Sequence, residues 1–108
     1  MQYKLYFWNK DDGFDIDKAD YIQVETTKSE VLSFIEKMKV LHSMVYSFKN
    51  DEVVFYRSEL LKVSYSKEAD GKRENRQNKL LFKVRDVLTN RKYFVGLECE
   101  RFNYNKNS

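Results

Sequence analysis

Between Ser29 and about His42, apolar residues recur at Val31, Phe34, Ile35, Met38 and Leu41. That spacing gathers them on one face of a helix with 3.6 residues per turn. Lys28, Glu36, Lys37 and Lys39 fall on or near the opposite side, where water solvates them. Ser29 reads as the N-cap, and Glu30 places a carboxylate in the first turn, where the helix dipole favours negative charge. Val40 points away from the stripe, which ends the helix between Met38 and Ser43. A lone amphipathic helix is not stable in water until something buries its stripe.

The rest of the chain supplies that cover, because Tyr, Phe, Val and Leu recur in short alternating runs of strand type. Gln2 to Trp8 reads as a strand with Tyr3, Leu5 and Phe7 on one face and Tyr6 and Trp8 on the other. Asp20 to Thr26 follows as its antiparallel partner, with Ile22 and Val24 facing inward. Met44–Phe48 and Val53–Arg57 make a hairpin around Asn50-Asp51, two residues that tolerate the left-handed backbone of a tight turn. Ser58-Glu59 marks a corner or bulge, and Leu60–Tyr65 places Leu61, Val63 and Tyr65 on one face. Lys79–Val87 and Lys92–Glu100 form a last hairpin, turned at Thr89-Asn90, with Leu80, Phe82, Val84, Tyr93, Val95, Leu97 and Cys99 inward. Residues 68–78 lack apolar periodicity and read as a long loop, and residues 103–108 as a polar, frayed tail.

The pattern therefore predicts a single α+β domain over residues 1–102. One amphipathic helix packs on a mainly antiparallel sheet of six or seven strands, in the order β-β-α-β-β-β-β-β. One helix covers one face of a sheet. The apolar residues on both faces of the first strand then call for a strongly curled sheet, a covering loop or a second chain.

Composition narrows the class. A chain of 108 residues, 42% hydrophobic and 16% aromatic, has material for a real core, which argues against global disorder. The 34% of charged residues specify a dense ionic surface, but a net charge of +3 is a weak bias and not the signature of a dedicated phosphate binder. Cys99 is the only cysteine, which excludes an internal disulfide framework and fits a reducing cytosol. No apolar stretch is long enough for a signal peptide or a membrane span. The Lys, Asn, Tyr and Phe bias is the coding habit of an AT-rich genome, such as a low-GC bacterium or its phages.

Candidate chemistry is sparse. His42 has no acid to orient it and no nucleophile near it in sequence, so it reads as a structural imidazole. Cys99, in phase with Leu97 and Val95, reads as a buried small hydrophobe, and one His with one Cys cannot make a zinc site. Asp11, Asp12, Asp15 and Asp17 alternate loosely around Gly13, but the glycine comes too early for a calcium loop. Gly13, Gly71 and Gly96 are isolated, so there is no phosphate-cradling loop. No enzyme, metal or cofactor is expected. Two binding functions remain. The first is a cytosolic interaction or regulatory module that docks another protein or a second copy of itself, with Tyr6, Trp8, Tyr56 and Phe94 as candidate contacts. The second is a nucleic-acid-binding domain using Lys72, Arg73, Arg76, Lys79, Lys83 and Arg85, a surface diluted by Asp70, Glu74 and Asp86.

Overall fold

The computed structural model describes residues 1–8, 15–41, 44–67 and 78–105. His42, Asp11, Asp12, Lys72, Arg73 and Arg76 lie outside the described residues. The elements run β1 (Gln2–Phe7), β2 (Tyr21–Glu25), α1 (Lys28–Leu41), β3 (Tyr46–Lys49), β4 (Glu52–Phe55), β5 (Ser58–Lys67), β6 (Asn78–Asp86), β7 (Lys92–Cys99) and β8 (Arg101–Asn105). This is the predicted α+β order with one strand added at the end.

The helix forms where the stripe predicts, and Val31, Phe34, Ile35 and Met38 are its buried residues. Its cap lies earlier than the pattern suggested. Thr27, and not Ser29, accepts the hydrogen bond from the Glu30 N–H on Oγ1, at 3.2 Å.

The strands make two sheets and not one curled sheet. A five-stranded sheet has the order β3-β4-β1-β2-β8, and a three-stranded sheet the order β5-β6-β7. All pairings are antiparallel except β1 with β4, which run parallel. Asn50 and Asp51 both take positive φ, 54° and 60°, as the tight β3–β4 turn requires. Residues 103–105 are not frayed. They complete β8, whose Phe102 and Tyr104 pair opposite Val24 and Ile22 of β2.

The bulge in β5 sits two residues later than the corner read from Ser58-Glu59. Leu60 pairs with Val84 and Lys62 with Lys83, so Leu61 is the extra residue. Leu60 and Val63 pack against the core, while Leu61 is exposed. That shift also turns Lys62 to the outer face of the sheet, directly opposite Lys83.

The core fills the space between the two sheets and α1. Phe7 and Phe55 come from the large sheet, Phe82 from the small one and Phe34 from the helix. Phe34 lies 4.9 Å from Phe82 and 5.5 Å from Phe55, centroid to centroid. Phe7 lies 5.2 Å from Phe55 and 5.8 Å from Phe82. These four rings join all three layers. Such pairs add about 0.5–1.5 kcal/mol each beyond the area they bury.

The open edge of β7 is closed by α1 and the residues before it. Glu30 Oε2 accepts from the Glu98 N–H at 3.3 Å, Thr26 Oγ1 donates to the Glu98 carbonyl at 2.8 Å, and Lys37 Nζ donates to the Gly96 carbonyl at 3.3 Å. Side chains thus satisfy edge groups that no strand pairs. No helix among the described residues is long and apolar enough to cross a membrane.

Candidate binding face

The four aromatic residues proposed as contacts divide between the two sheets. Tyr6 is only 5% exposed, packed with Val54 and Ala19 on the outer face of the large sheet. Its hydroxyl donates to Glu52 Oε2 at 2.8 Å. Burial, with help from the Glu52 carboxylate, pushes the Tyr6 phenol far above its ordinary range, so it stays a donor. Trp8 and Tyr56 are half-buried beside it and meet edge to face at 6.5 Å. The apolar residues on the second face of β1 are therefore largely covered within one chain, by Ala19 and its neighbours. Tyr6 is not an exposed contact, and the argument for a second copy on this face loses its premise.

Phe94 belongs to a different surface. On the outer face of β5-β6-β7 the register sets side chains in rows across the strands. One row is Glu59, Arg85 and Lys92; the next is Lys62, Lys83 and Phe94; then come Ser64, Leu81 and Gly96; and Lys79 lies opposite Glu98. Phe94 is 60% exposed and Leu81 42%, although both sit in sheet positions that alternation reserves for polar residues. The C-terminal half of α1 lies alongside. An open groove runs between them, lined by Val40, Leu41, Leu81, Phe94 and Gly96, with Lys37 and Lys79 on its rim.

The proposed nucleic-acid contacts are only partly united here. Lys79 and Lys83 share this face with Phe94, and the Lys83 ammonium sits 5.7 Å from the Phe94 ring centroid. Arg85 is spoken for, since its guanidinium pairs with Glu59 across the strands. Asp86 does not dilute the patch. It turns inward, almost fully buried, and binds Arg57 through both carboxylate oxygens at 3.3 and 3.1 Å. Burial would raise the Asp86 pKa, but hydrogen bonds from the Leu88 and Thr89 N–H groups and from Arg57 outweigh it and hold the carboxyl below its usual value.

Sequence reasoning did not select Leu81, Gly96, Val40, Leu41, Lys37 or Lys62 as site residues. Only two of them carry a signal, being apolar and out of phase: Val40 lies off the helix stripe, and Leu81 is on the polar face of its strand. The alternation of each element shows this, but only the packing of α1 beside β7 brings them together.

Among the described residues that line the groove there is no histidine or cysteine and one carboxylate, Glu36. Among the described residues no group of three or more His, Cys, Asp and Glu side chains is placed to hold a metal ion. Cys99 is buried, and burial, with Glu30 adding to it, pushes its thiol up to about 11. Thiolate is then scarce at neutral pH. Modification of the native protein by a disulfide reagent is expected to follow global unfolding, and rapid labelling without denaturant would contradict the buried placement. The chain matches no known protein-family model, no curated protein and no solved structure.

Proposed function

We propose that this chain is a non-catalytic interaction module that docks another protein on the outer face of β5-β6-β7 and the adjoining α1 groove. The observation that carries the reading is the union of exposed apolar side chains from two elements, Val40 and Leu41 from α1 with Leu81 and Phe94 from the sheet. Isolated exposed apolar residues are ordinary, but a contiguous patch with a polar rim is the usual anatomy of an interface. The single buried thiol and the Lys- and Asn-rich composition fit a regulator in the cytosol of a low-GC bacterium or of its phages.

Leu81→Ser with Phe94→Ser tests it, because both side chains are exposed and the fold is expected to melt as the wild type does. Immobilised wild type should retain a protein from a lysate of the source cell that the double variant does not. Identical retention by both would move the interface elsewhere.

The presence of Lys62, Lys79, Lys83 and Lys92 on one face also favours contact with nucleic acid as a second reading. It predicts weak, sequence-independent binding that disappears as salt rises. Fluorescence anisotropy with a labelled oligonucleotide measures it. Tight binding at physiological salt, lost on changing Lys79 and Lys83 to Ala, would reverse the order of the two readings.

A further inference from the structure

The groove and the sheet face beyond Phe94 carry a definite sign. Lys62 and Lys83 occupy directly opposed positions on the outer face of β5 and β6, an arrangement that is unfavourable between neighbouring strands. Lys37 and Lys79 add to it from the helix and from two rows further along the sheet. The acids among the described residues near this surface are Glu36, which lies 3.9 Å from Lys39, Glu98, opposite Lys79, and Glu30, which accepts from the Glu98 N–H. The Arg85–Glu59 pair is neutral as a unit. Positive charge therefore exceeds negative around an apolar floor.

That floor is also kept low at Gly96. A Cβ there would meet the nearest heavy atom, Lys79 Cε, at 3.5 Å, an ordinary contact, and the residue does not need a left-handed backbone. Nothing within the fold demands glycine at this point, although glycine weakens a strand interior. Its absent side chain lowers the bottom of the groove between Leu81 and α1, where the flexible Lys79 stem borders it and can swing aside for another chain.

We propose that the occupant is an acidic, amphipathic segment of another protein. Its apolar side chains enter the groove over Gly96, against Leu81, Phe94, Val40 and Leu41, and its carboxylates meet Lys37, Lys62, Lys79 and Lys83. This rests on the protein-docking reading above and gives the partner its chemistry. A second copy fits poorly, since a two-fold contact through this face would set each lysine cluster against itself. A nucleic acid fits less well than a peptide. The lysines surround an apolar floor, and the one exposed ring among the groove's described residues, Phe94, already has the Lys83 ammonium near it.

The test uses the full chain, isotopically labelled for NMR, and four probes. Two are synthetic peptides with the same Leu/Phe pattern, one carrying Glu and the other Lys at every polar position. The third is polyglutamate and the fourth an oligothymidylate. The Glu peptide is expected to shift the amide resonances of Leu81, Phe94 and Gly96 and to leave those of Tyr6 and Val54 in place. Changing Lys62 and Lys83 to Glu should weaken it by about tenfold or more and transfer preference to the Lys peptide. Gly96→Ala should keep or raise stability while weakening the same peptide, an outcome that a merely structural glycine would not produce. Stronger binding of the Lys peptide to the wild type would overturn the acidic partner and leave protein docking standing. Equal binding of polyglutamate would overturn the groove as the contact, and shifts caused by oligothymidylate alone would overturn both readings. Absence of any shift with the Glu peptide would also overturn the inference.

Discussion

Replacing Asp86 by alanine is expected to destabilise the protein by about 3–5 kcal/mol, the range for removing one partner of a buried ion pair. The carboxylate is 2% exposed and Arg57 29%, so the loss leaves a largely desolvated guanidinium without this counter-charge. It also removes the acceptor for the N–H groups of Leu88 and Thr89, which shape the turn between β6 and β7. Arg57 itself holds a left-handed backbone, φ 64°, at the corner between β4 and β5, and its carbonyl accepts from the Val87 N–H at 2.9 Å. The pair thus ties the corner between the sheets to the last hairpin. Asn at this position keeps an acceptor but loses the charge and should fall between the two. Because the folded state holds the carboxyl below its ordinary pKa of about 4, its contribution is fully present above that value. It is lost as pH falls from there through the lower, folded value. Urea denaturation at neutral pH and in mild acid measures both effects. The gap between wild type and the Asn variant should narrow in acid, and an equal gap at both pH values would remove Asp86 as the charged member of the pair.

Phe34→Ala is expected to destabilise by a similar amount, about 3–5 kcal/mol, through a different cause. The ring is completely buried and touches Phe55 of one sheet and Phe82 of the other, so its removal leaves a cavity where three layers meet. Neither sheet can move in to fill that space without losing its own contacts. Lys37→Ala, one turn along on the exposed side, forfeits a single hydrogen bond at the β7 edge and should cost well under half as much. Equal losses in chemical denaturation would mean that the helix buries a different face.

The helix was legible because its stripe stands alone: five apolar residues at helical spacing admit one buried face, and four of them fill it. The hairpins were legible for the same reason, alternation bounded by residues that accept positive φ. Leu60-Leu61 was not, because two adjacent leucines fit either phase of a strand and only the cross-strand register reveals the bulge. The last strand was missed although Phe102 and Tyr104 alternate with Arg101, Asn103 and Asn105, because two aromatic residues in a short run that continues into a polar end do not stand out as a strand. On β1 the pattern correctly showed apolar groups on both faces. It could not show that Ala19, in a segment rich in acids, covers Tyr6. The proposed binding face was half visible. Phe94, Lys79 and Lys83 stood out by type, but their neighbours Leu81, Val40 and Lys62 acquire meaning only from the register of β6 and the position of α1.

The side chains of Thr26, Glu30 and Lys37 that close the edge of β7 come from α1 and the turn that leads into it. A chain whose helix has come loose therefore bares a ready template for a foreign strand while its three-stranded sheet is still intact. Such a chain is expected to pair edge to edge more readily than the closed one. The rate at which the Glu98 amide hydrogen exchanges with solvent is the gauge of how often it forms.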